Sequence, residues 1–330
     1  MNRYIINSES GKRIIFAKPY EGLCEICEKP GGWGNEKNIC AKAGEIFSLG
    51  VDKRNFIHIV GVSKKNELIY LKGRDGVWQE AIIAQGIQEI GRLEIAVSHS
   101  RKDMLYSTFY ENEWILVHCV LGNGARPNKI AGLCEKDFCV FGDRVYFSDS
   151  DENICYMDFS DGKPVNRVKL HKGRMPYVTN EESDIYIAYK NDNALFVNGE
   201  RFVNDLSAEM PVIVKNNDDF ILMWRSGDFV KYADFKSKKI RHIAIGAKPD
   251  IIICAEYSGR NSYYGNFTNN TLKVYPNINL FPPKDKFAEN REEIQKLKKL
   301  LEEQNAKIES YRNEINKLNN IIYEMSKNRS

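Results

Sequence analysis

The feature that most constrains the fold of this chain is a short strand pair that recurs along most of its length. The clearest copy is residues 56–78, FIHIVGVSKKNELIYLKGRDGVW, in which a polar turn separates two apolar strands and a tryptophan follows. Similar turns recur in SRKDMLYST, SDSDENICYM and KNDNALFV, each preceded by a segment rich in β-branched or aromatic residues. Alternation of this kind predicts strands, and its regular repetition predicts a repeat architecture.

Seven such units can be counted along the chain. They begin near Ile14, Phe56, Leu93, Phe138, Tyr177, Val212 and Ile251. The mean spacing of about 40 residues matches the length of a four-stranded propeller blade. Six blades with one long insertion would fit nearly as well. The sequence therefore predicts an all-β fold, a β-propeller of seven or six blades, over residues 1–276.

Two recurring devices mark positions that we expect to be equivalent. Trp33, Trp78 and Trp114 each follow an apolar residue by ten positions, which predicts one shared packing position. A second device is glycine, two residues and then proline, which ends at Pro127, Pro176 and Pro249, with a looser copy at Pro211. Because proline at a strand start costs no ladder hydrogen bond, these segments are predicted to connect one blade to the next.

Cations precede three of these prolines and are the candidate ligand-binding residues. They are Arg126, Arg174 and Lys248. If the connections lie on one rim of a closed ring, the three side chains would favour an anionic ligand or an acidic partner. Glu209 and Met210 occupy the corresponding place in another unit, so a solvated rim is the alternative.

The last 50 residues have a different character. Residues 277–285 contain Pro282 and Pro283 and predict a stiff linker, and residues 286–328 predict a long α-helix without glycine or proline. Apolar residues occupy most of the a and d positions of five heptads, which are Ile294, Leu297, Leu301, Gln304, Ile308, Tyr311, Ile315, Leu318, Ile322 and Met325. This pattern predicts a coiled coil that forms a homo-oligomer, either dimer or trimer. A helix folded back on the propeller is the alternative.

Two groups of residues imitate sites of known chemistry. Cys24 and Cys27, with Cys40 further on, have the spacing of a zinc knuckle. The repeat instead places the pair on a strand, where residues three apart point to opposite faces. Asp149, Asp151 and Asn153 open like a calcium loop, but Ile154 and Ser160 stand where that loop needs Gly and Glu. We therefore predict no metal.

The sequence around the histidines does not identify a catalytic partner residue either. They occupy positions 58, 99, 118, 171 and 242, and we interpret them as strand or loop residues. No glycine-rich phosphate loop is present, since GNGARP lacks the Lys-Ser/Thr ending. We therefore predict no catalytic residue and no cofactor.

Charge and hydropathy limit the classes of partner that we expect for this chain. The formal charge of +3 arises from 48 basic and 45 acidic side chains, which argues against nucleic acid as a partner. No apolar run reaches the roughly 18 residues needed to cross a bilayer, and the N-terminus has no signal-peptide pattern. A cytoplasmic location with reduced cysteines is expected.

Three segments resemble the repeats of sialidase-type propellers: PYVTNEESDIYIAYKN, FIHIVGVSKKNELIYLKGRDGVW and RLEIAVSHSRKDMLYSTFYENEW. The resemblance implies a propeller over residues 10–276. The family's Asp-box, Ser-x-Asp-x-Gly-x-Thr-Trp, is absent and GRDGVW is a short echo of it, so sialidase activity is not implied.

The sequence thus favours a non-enzymatic binding or scaffolding propeller made multivalent by the coiled coil. The alternatives are a carbohydrate-active enzyme and a lectin-like propeller that binds glycans. The side chains that line the central channel would discriminate among them.

Overall fold

The structure, a computed structural model, describes residues 2–8, 11–30, 32–98, 101–122, 126–159, 163–181, 184–216, 219–244, 250–256, 259–268, 271–275, 304 and 307. The chain divides into two units, Met1–Ile278 and Asn279–Ser330. Regular structure described in the first unit consists of strands, which confirms the all-β prediction.

The strands form seven antiparallel repeats, numbered here in chain order. Repeat 1 contains β1 (Asn2–Ser8), β2 (Gly11–Lys18), β3 (Gly22–Lys29), β4 (Gly32–Trp33) and β5 (Lys37–Cys40). Repeat 2 contains β6 (Ala43–Val51), β7 (Ile57–Ser63), β8 (Leu68–Arg74) and β9 (Val77–Ala84). Repeat 3 contains β10 (Ile90–Val97), β11 (Lys102–Tyr110), β12 (Glu113–Val120) and β13 (Asn128–Leu133). Repeat 4 contains β14 (Phe138–Phe141), β15 (Arg144–Ser148), β16 (Asn153–Asp158) and β17 (Val165–Lys172). Repeat 5 contains β18 (Arg174–Glu181), β19 (Asp184–Asn191), β20 (Ala194–Val197) and β21 (Glu200–Asn204). Repeat 6 contains β22 (Ala208–Asn216), β23 (Asp219–Ser226), β24 (Phe229–Asp234) and β25 (Arg241–Ala244), and repeat 7 contains β26 (Asp250–Glu256), β27 (Gly259–Thr268) and β28 (Thr271–Tyr275).

Repeats 2–6 are separate four-stranded sheets in which each strand pairs with the next in sequence. Each repeat contacts the one that follows, mainly through the first strands, and repeat 7 contacts repeat 1, so the repeats close into a ring. The first strands lie innermost. This arrangement lets neighbouring sheets bury each other's faces without helices.

Ring closure uses a parallel strand pair. β1 pairs with β26, with Arg3 opposite Ile252 and Ile5 opposite Cys254, so repeats 1 and 7 share one sheet. An ion pair joins Arg3 Nε to Asp250 Oδ2 at 2.5 Å, and both side chains are 16% exposed. The first and seventh repeats are thereby held together.

The apolar cores lie between neighbouring repeats. Second strands such as β23 are buried over five consecutive residues, because a sheet covers each of their faces. Fourth strands such as β17 are mostly exposed. One core joins repeats 5 and 6 around Leu195, Leu222 and Trp224.

The predicted repeat boundaries were wrong in repeats 1 and 2. Those repeats begin at Asn2 and Ala43, one strand before the predicted starts at Ile14 and Phe56. The strand that opens repeat 2, AGEIFSLGV, contains two glycines and a glutamate that interrupt the apolar alternation. The tryptophan prediction was also wrong: Trp78 lies on the fourth strand of its repeat, whereas Trp114 lies on the third.

The prediction for Pro127 was wrong as well. Pro127 precedes β13, the outer strand of repeat 3, and therefore lies within one sheet. Pro176 and Pro211 lie in β18 and β22, the first strands of repeats 5 and 6, as predicted for connections between repeats.

Candidate ligand-binding site

A cavity of about 560 Å³ lies at the centre of the ring. Its walls come from the first strands of repeats 2, 3, 5, 6 and 7, from the loop that precedes β14, and from Arg225 and Ser262 on the second strands of repeats 6 and 7. The first strands run parallel around the ring axis, so the cavity lies at the face where they begin. Volumes of this size are typical of small-molecule sites.

Backbone irregularities shape the mouth of the cavity. The register shifts between Ala43 and Phe47, Ile90 and Arg92, Arg174 and Tyr177, and Glu209 and Val212. Residues inside these shifts line the cavity. A bulge bends its strand and redirects side chains, so the four bulges turn strand ends into cavity wall.

Two of the bulges share the dipeptide Met-Pro. Met175 and Met210 have left-handed backbone, with φ of 56° and 52°, and Pro176 and Pro211 follow them. A non-glycine residue in this region costs on the order of 1–2 kcal/mol, so the surrounding structure must hold it. The dipeptides in RMPYV and EMPVI were the sequence signal for this part of the site.

Charged side chains of both signs face the cavity. Arg92 forms ion pairs with Glu94, at 3.0 Å, and with Asp137, at 3.5 Å. Burial opposes the charge on Arg92, but the two carboxylates outweigh it and raise the pKa of the guanidinium. Arg225 Nε on β23 donates a hydrogen bond of 3.1 Å to Oε2 of Glu209, its cross-strand partner on β22. The arginines that line the cavity are thus neutralised by their neighbours.

Hydrogen bonds from the inner strands fix these charged groups. Ser48 Oγ, fully buried on β6, donates to Glu94 Oε2 at 3.2 Å and accepts from the backbone N–H of Ile95 at 3.1 Å. Ser48 therefore ties repeat 2 to repeat 3 beside the ion pair. A carboxylate held at two oxygens presents one defined geometry to a ligand.

The rest of the wall is largely apolar. Phe47, Val212 and Ile253 are buried and line the cavity. The hydroxyl of Tyr177 accepts a hydrogen bond from the backbone N–H of Ser262 at 3.2 Å. Burial raises the pKa of Tyr177 to about 12, so the hydroxyl stays protonated.

The predicted cation rim is not assembled by the described residues. Arg174 opens β18 beside the cavity-lining Met175, but its guanidinium pairs with Glu152. Arg126 is exposed in the segment before the outer strand β13. Lys248 lies outside the described residues. The two described cations thus occupy different radial positions in the ring.

Of the predicted coiled-coil positions, the structure describes Gln304, which is helical and exposed, as is Lys307. The other nine positions lie outside the described residues, so the coiled coil stays a prediction. Among the residues described, no helix is both long enough and apolar enough to span a bilayer.

The Cys24–Cys27 pair lies on β3, which confirms the strand interpretation. Ligand atoms of Glu21, Cys24 and Glu36 lie within 4.8 Å of one another. Lys18 Nζ is 2.6 Å from Glu36 and 3.5 Å from Glu21 and supplies a cation there. Burial raises the pKa of Cys24 to about 11, which disfavours the thiolate that metals require.

The turn after β15 has the geometry predicted for a polar hairpin. One carboxylate oxygen of Asp149 accepts the backbone N–H groups of Asp151, at 3.0 Å, and Asn153, at 2.8 Å. Arg167 on the outer strand pairs with the same carboxylate. The aspartate therefore orders a turn, as the repeat pattern predicted.

Two buried histidines have polar partners that the sequence did not reveal. His118 Nε2 lies 2.8 Å from Asp103 Oδ1, and both are buried on repeat 3. His58 bridges Asp52 Oδ2, 3.1 Å from Nε2, and the Tyr70 hydroxyl, 2.6 Å from Nδ1. Since His58 has no exposed surface, this network stabilises the sheet and cannot reach a substrate.

This network should make the stability of the protein depend on pH. Burial lowers the pKa of His58 and raises that of Tyr70 to about 12, and the hydrogen bond from His58 helps to lower the pKa of Asp52. Neutral His58 then donates to Asp52 and accepts from Tyr70. In the unfolded chain His58 takes up a proton near pH 6.5, whereas in the folded protein it stays neutral to lower pH. The free energy of unfolding should therefore fall as the pH drops below about 6.5. Thermal unfolding between about pH 7.5 and pH 5.5 measures this loss.

The control is His58→Gln, which keeps polar groups but does not titrate. Its unfolding midpoint should vary less over the same pH range. An equal slope in the variant and the natural chain would contradict a role for His58, because the remaining histidines and carboxylates are common to both.

Solved structures with similar folds support the architecture. The β-propeller domain of Myceliophteria thermophila Cps50 (Swd1) aligns with a TM-score of 0.52 and 9% identity over 84% of this chain and 96% of that domain. The fold is a β-propeller.

Two further solved structures are also similar, at lower TM-scores. AofleA from Arthrobotrys oligospora has a TM-score of 0.45 and 13% identity over 74% of this chain and 86% of its own. The fucose-specific lectin of Aleuria aurantia has a TM-score of 0.45 and 12% identity over 74% and 94%. The Cps50 domain supports the resemblance to sialidase-type repeats only as far as the propeller fold.

No family model matches the chain. No curated protein matches it either.

Proposed function

We propose that this chain is a non-enzymatic binding propeller and that its central cavity holds a neutral, hydroxyl-rich ligand, of which a carbohydrate is the best-fitting class. The observation that carries the proposal is the pairing of charges in the cavity. Arg92 is shared by Glu94 and Asp137, and Arg225 is bonded to Glu209.

Paired charges suit a neutral ligand. Four carboxylates and three cations line the cavity, so its net charge is near zero. A charged ligand would have to compete for its counter-charge with groups such as Arg92 and Glu209 that already have partners, which is costly. Hydroxyl groups can donate to the carboxylates and accept from the arginines without disturbing either pair. The apolar wall formed by Phe47, Val212 and Ile253 would cover the C–H faces of a sugar ring.

Hydrolysis is the less favourable interpretation of the same residues. A glycosidase uses one protonated and one ionised carboxyl group placed on either side of the scissile bond. Glu94 and Asp137 instead share a single guanidinium. This arrangement uses the carboxylates to position Arg92, which favours binding over acid–base catalysis.

The test is calorimetric titration of the full chain with neutral mono- and disaccharides and with an acidic sugar. The double variant Glu209→Gln/Arg225→Gln keeps the size of side chain 209, shortens side chain 225 and removes both charges at the mouth. Hydrogen bonds to charged groups contribute roughly 1.5–3 kcal/mol, so the affinity for a neutral sugar should fall about 10- to 100-fold.

The matched control is Glu113→Gln/Lys129→Gln. This ion pair is about half exposed and joins β12 to β13, away from the cavity wall. Its removal should leave the affinity unchanged. Equal losses in both double variants, or binding of the acidic sugar alone, would contradict the proposed site.

The predicted coiled coil would add multivalency. Two or three propellers held on one stalk would bind a surface that repeats the ligand far more tightly than a single site. In this arrangement the chain would act as a scaffold that displays several identical cavities.

A further inference from the structure

The outer edges of the propeller are protected by cations, with one exception. The outermost strands of six repeats each carry Lys or Arg: Lys37 on β5, Lys129 on β13, Arg167 on β17, Arg201 on β21, Arg241 on β25 and Lys273 on β28. Native proteins use such charges on edge strands to prevent pairing with other chains.

The exception is β9, the outer strand of repeat 2. Its sequence, VWQEAIIA, has no Lys, Arg or Pro. Its one charged residue, Glu80, is held by Lys42 Nζ at 2.6 Å. Val77 is 73% exposed and Ile82 46% exposed, and among the described residues β9 pairs with β8 alone. An edge strand of eight residues, six of them apolar, is thus left without a second strand among the described residues.

The hairpin geometry determines which backbone groups face outwards. Asp75 and Gly76 both have positive φ, at 52° and 81°, which identifies a two-residue type I′ turn closed by Arg74 and Val77. Because bonded and non-bonded positions alternate, Trp78, Glu80 and Ile82 direct their N–H and C=O groups away from β8.

We propose that β9 pairs in antiparallel fashion with β9 of a second copy of this chain, about a two-fold axis at Gln79. A two-fold axis perpendicular to the sheet keeps the same face upwards in both copies. Residues opposite each other must then both be hydrogen-bonded positions or both be non-bonded positions, so the sum of their residue numbers is even. The strand centre allows an axis at Gln79 or at Glu80. An axis at Glu80 would place two carboxylates opposite each other, which is destabilising.

The register centred on Gln79 is self-complementary. It places Trp78 opposite Glu80 of the second copy as a hydrogen-bonded pair that uses the outward backbone groups. Val77 lies opposite Ala81, so no like charges meet. The pairing joins two four-stranded sheets into one of eight strands. It is independent of the central cavity and of the predicted coiled coil.

Disulfide trapping in the full chain tests this register. Gln79→Cys would lie on the axis as a non-bonded pair, with Cα atoms about 4.5 Å apart, within the range that a disulfide bridges. Ala81→Cys is the matched control: it is equally exposed and on the same strand, but four residues of offset separate it from its copy by about 13 Å. Both substitutions change exposed side chains, so folding should be preserved.

Mild oxidation with glutathione disulfide followed by non-reducing electrophoresis gives the yield of covalent dimer. Gln79→Cys should exceed both Ala81→Cys and the natural chain by about tenfold or more. Equal yields for the two variants would show random collision and overturn the proposal. A dominant yield from Glu80→Cys would overturn this register, and no dimer from any variant would overturn pairing at β9.

Discussion

Replacing Trp224 by alanine should lower the free energy of unfolding by about 3–5 kcal/mol, the usual cost of removing a large buried aromatic side chain. Trp224 has no exposed surface and lies on β23 in the core between repeats 5 and 6. The cavity left behind would open at the junction of two sheets, where Leu195 and Leu222 pack against the indole.

The indole also serves a polar network that the substitution would break. Trp224 Nε1 donates to Asp205 Oδ2 at 2.8 Å, and Lys231 Nζ donates to the same oxygen at 2.8 Å. Burial opposes the charge on Asp205, but hydrogen bonds from Lys231, Trp224 and Ser207 outweigh it and lower the pKa of the carboxyl group. Loss of one donor from a buried carboxylate adds to the cost of the cavity.

Two further variants separate the contributions of the buried volume and of the hydrogen-bond donor to the loss of stability. Trp224→Phe keeps most of the volume but loses the donor, so it should cost less than alanine. Phe229→Ala removes an aromatic ring that is 43% exposed on the adjacent strand and should cost about 1 kcal/mol or less. Denaturant unfolding of the three proteins measures these differences. If Phe229→Ala proved as costly as Trp224→Ala, burial of the indole between repeats 5 and 6 would not account for the loss of stability.

The second large effect concerns the predicted coiled coil. Aspartate at Leu301 and Ile308, both at a positions, would place charges in the apolar seam of the full-length chain and should dissociate the oligomer. Apparent affinity for a surface coated with the ligand should fall by about 10²- to 10⁴-fold, since avidity is lost. Affinity for the free ligand should not change.

Ala306→Asp is the control for this experiment, because position 306 is f in the same heptad and faces solvent in a coiled coil. Light scattering gives the oligomeric state, and binding to coated and free ligand gives the two affinities. An unchanged mass in the double variant would contradict the coiled coil. If Ala306→Asp dissociated the oligomer equally, the predicted heptad register would be wrong.

Periodicity predicted the architecture well because it reflects local physics. Strands that alternate in hydropathy and are separated by polar turns can be recognised within each repeat, and seven were counted correctly. The boundaries of the first two repeats were missed because β1 and β6 are interrupted by polar residues and glycine. The tryptophans misled because equal spacing along the chain does not require the same strand: Trp78 and Trp114 differ by one strand.

The candidate site was predicted only in part, since it depends on contacts between distant repeats. The Met-Pro dipeptides were visible in the sequence as strand starts. Arg92 gave no signal, because its partner Asp137 lies 45 residues away on the next repeat. Asp52 and Asp103 lie only 6 and 15 residues from their histidines, within the same repeat, but these pairings depend on how neighbouring strands of one sheet are aligned. Spacing along one strand cannot show which loops a ring brings together.

The parallel pairing of β1 with β26 has a consequence for synthesis of the protein. Arg3 and Asp250 are separated by 247 residues, and a ribosome adds about 5–20 residues per second. The first strand therefore leaves the ribosome roughly 10–50 s before its closing partner exists. During that interval the inner edge of repeat 1 is unpaired and open to other nascent chains. When many ribosomes translate one messenger RNA at the same time, overexpression should therefore yield more aggregated protein than slow expression of the same chain.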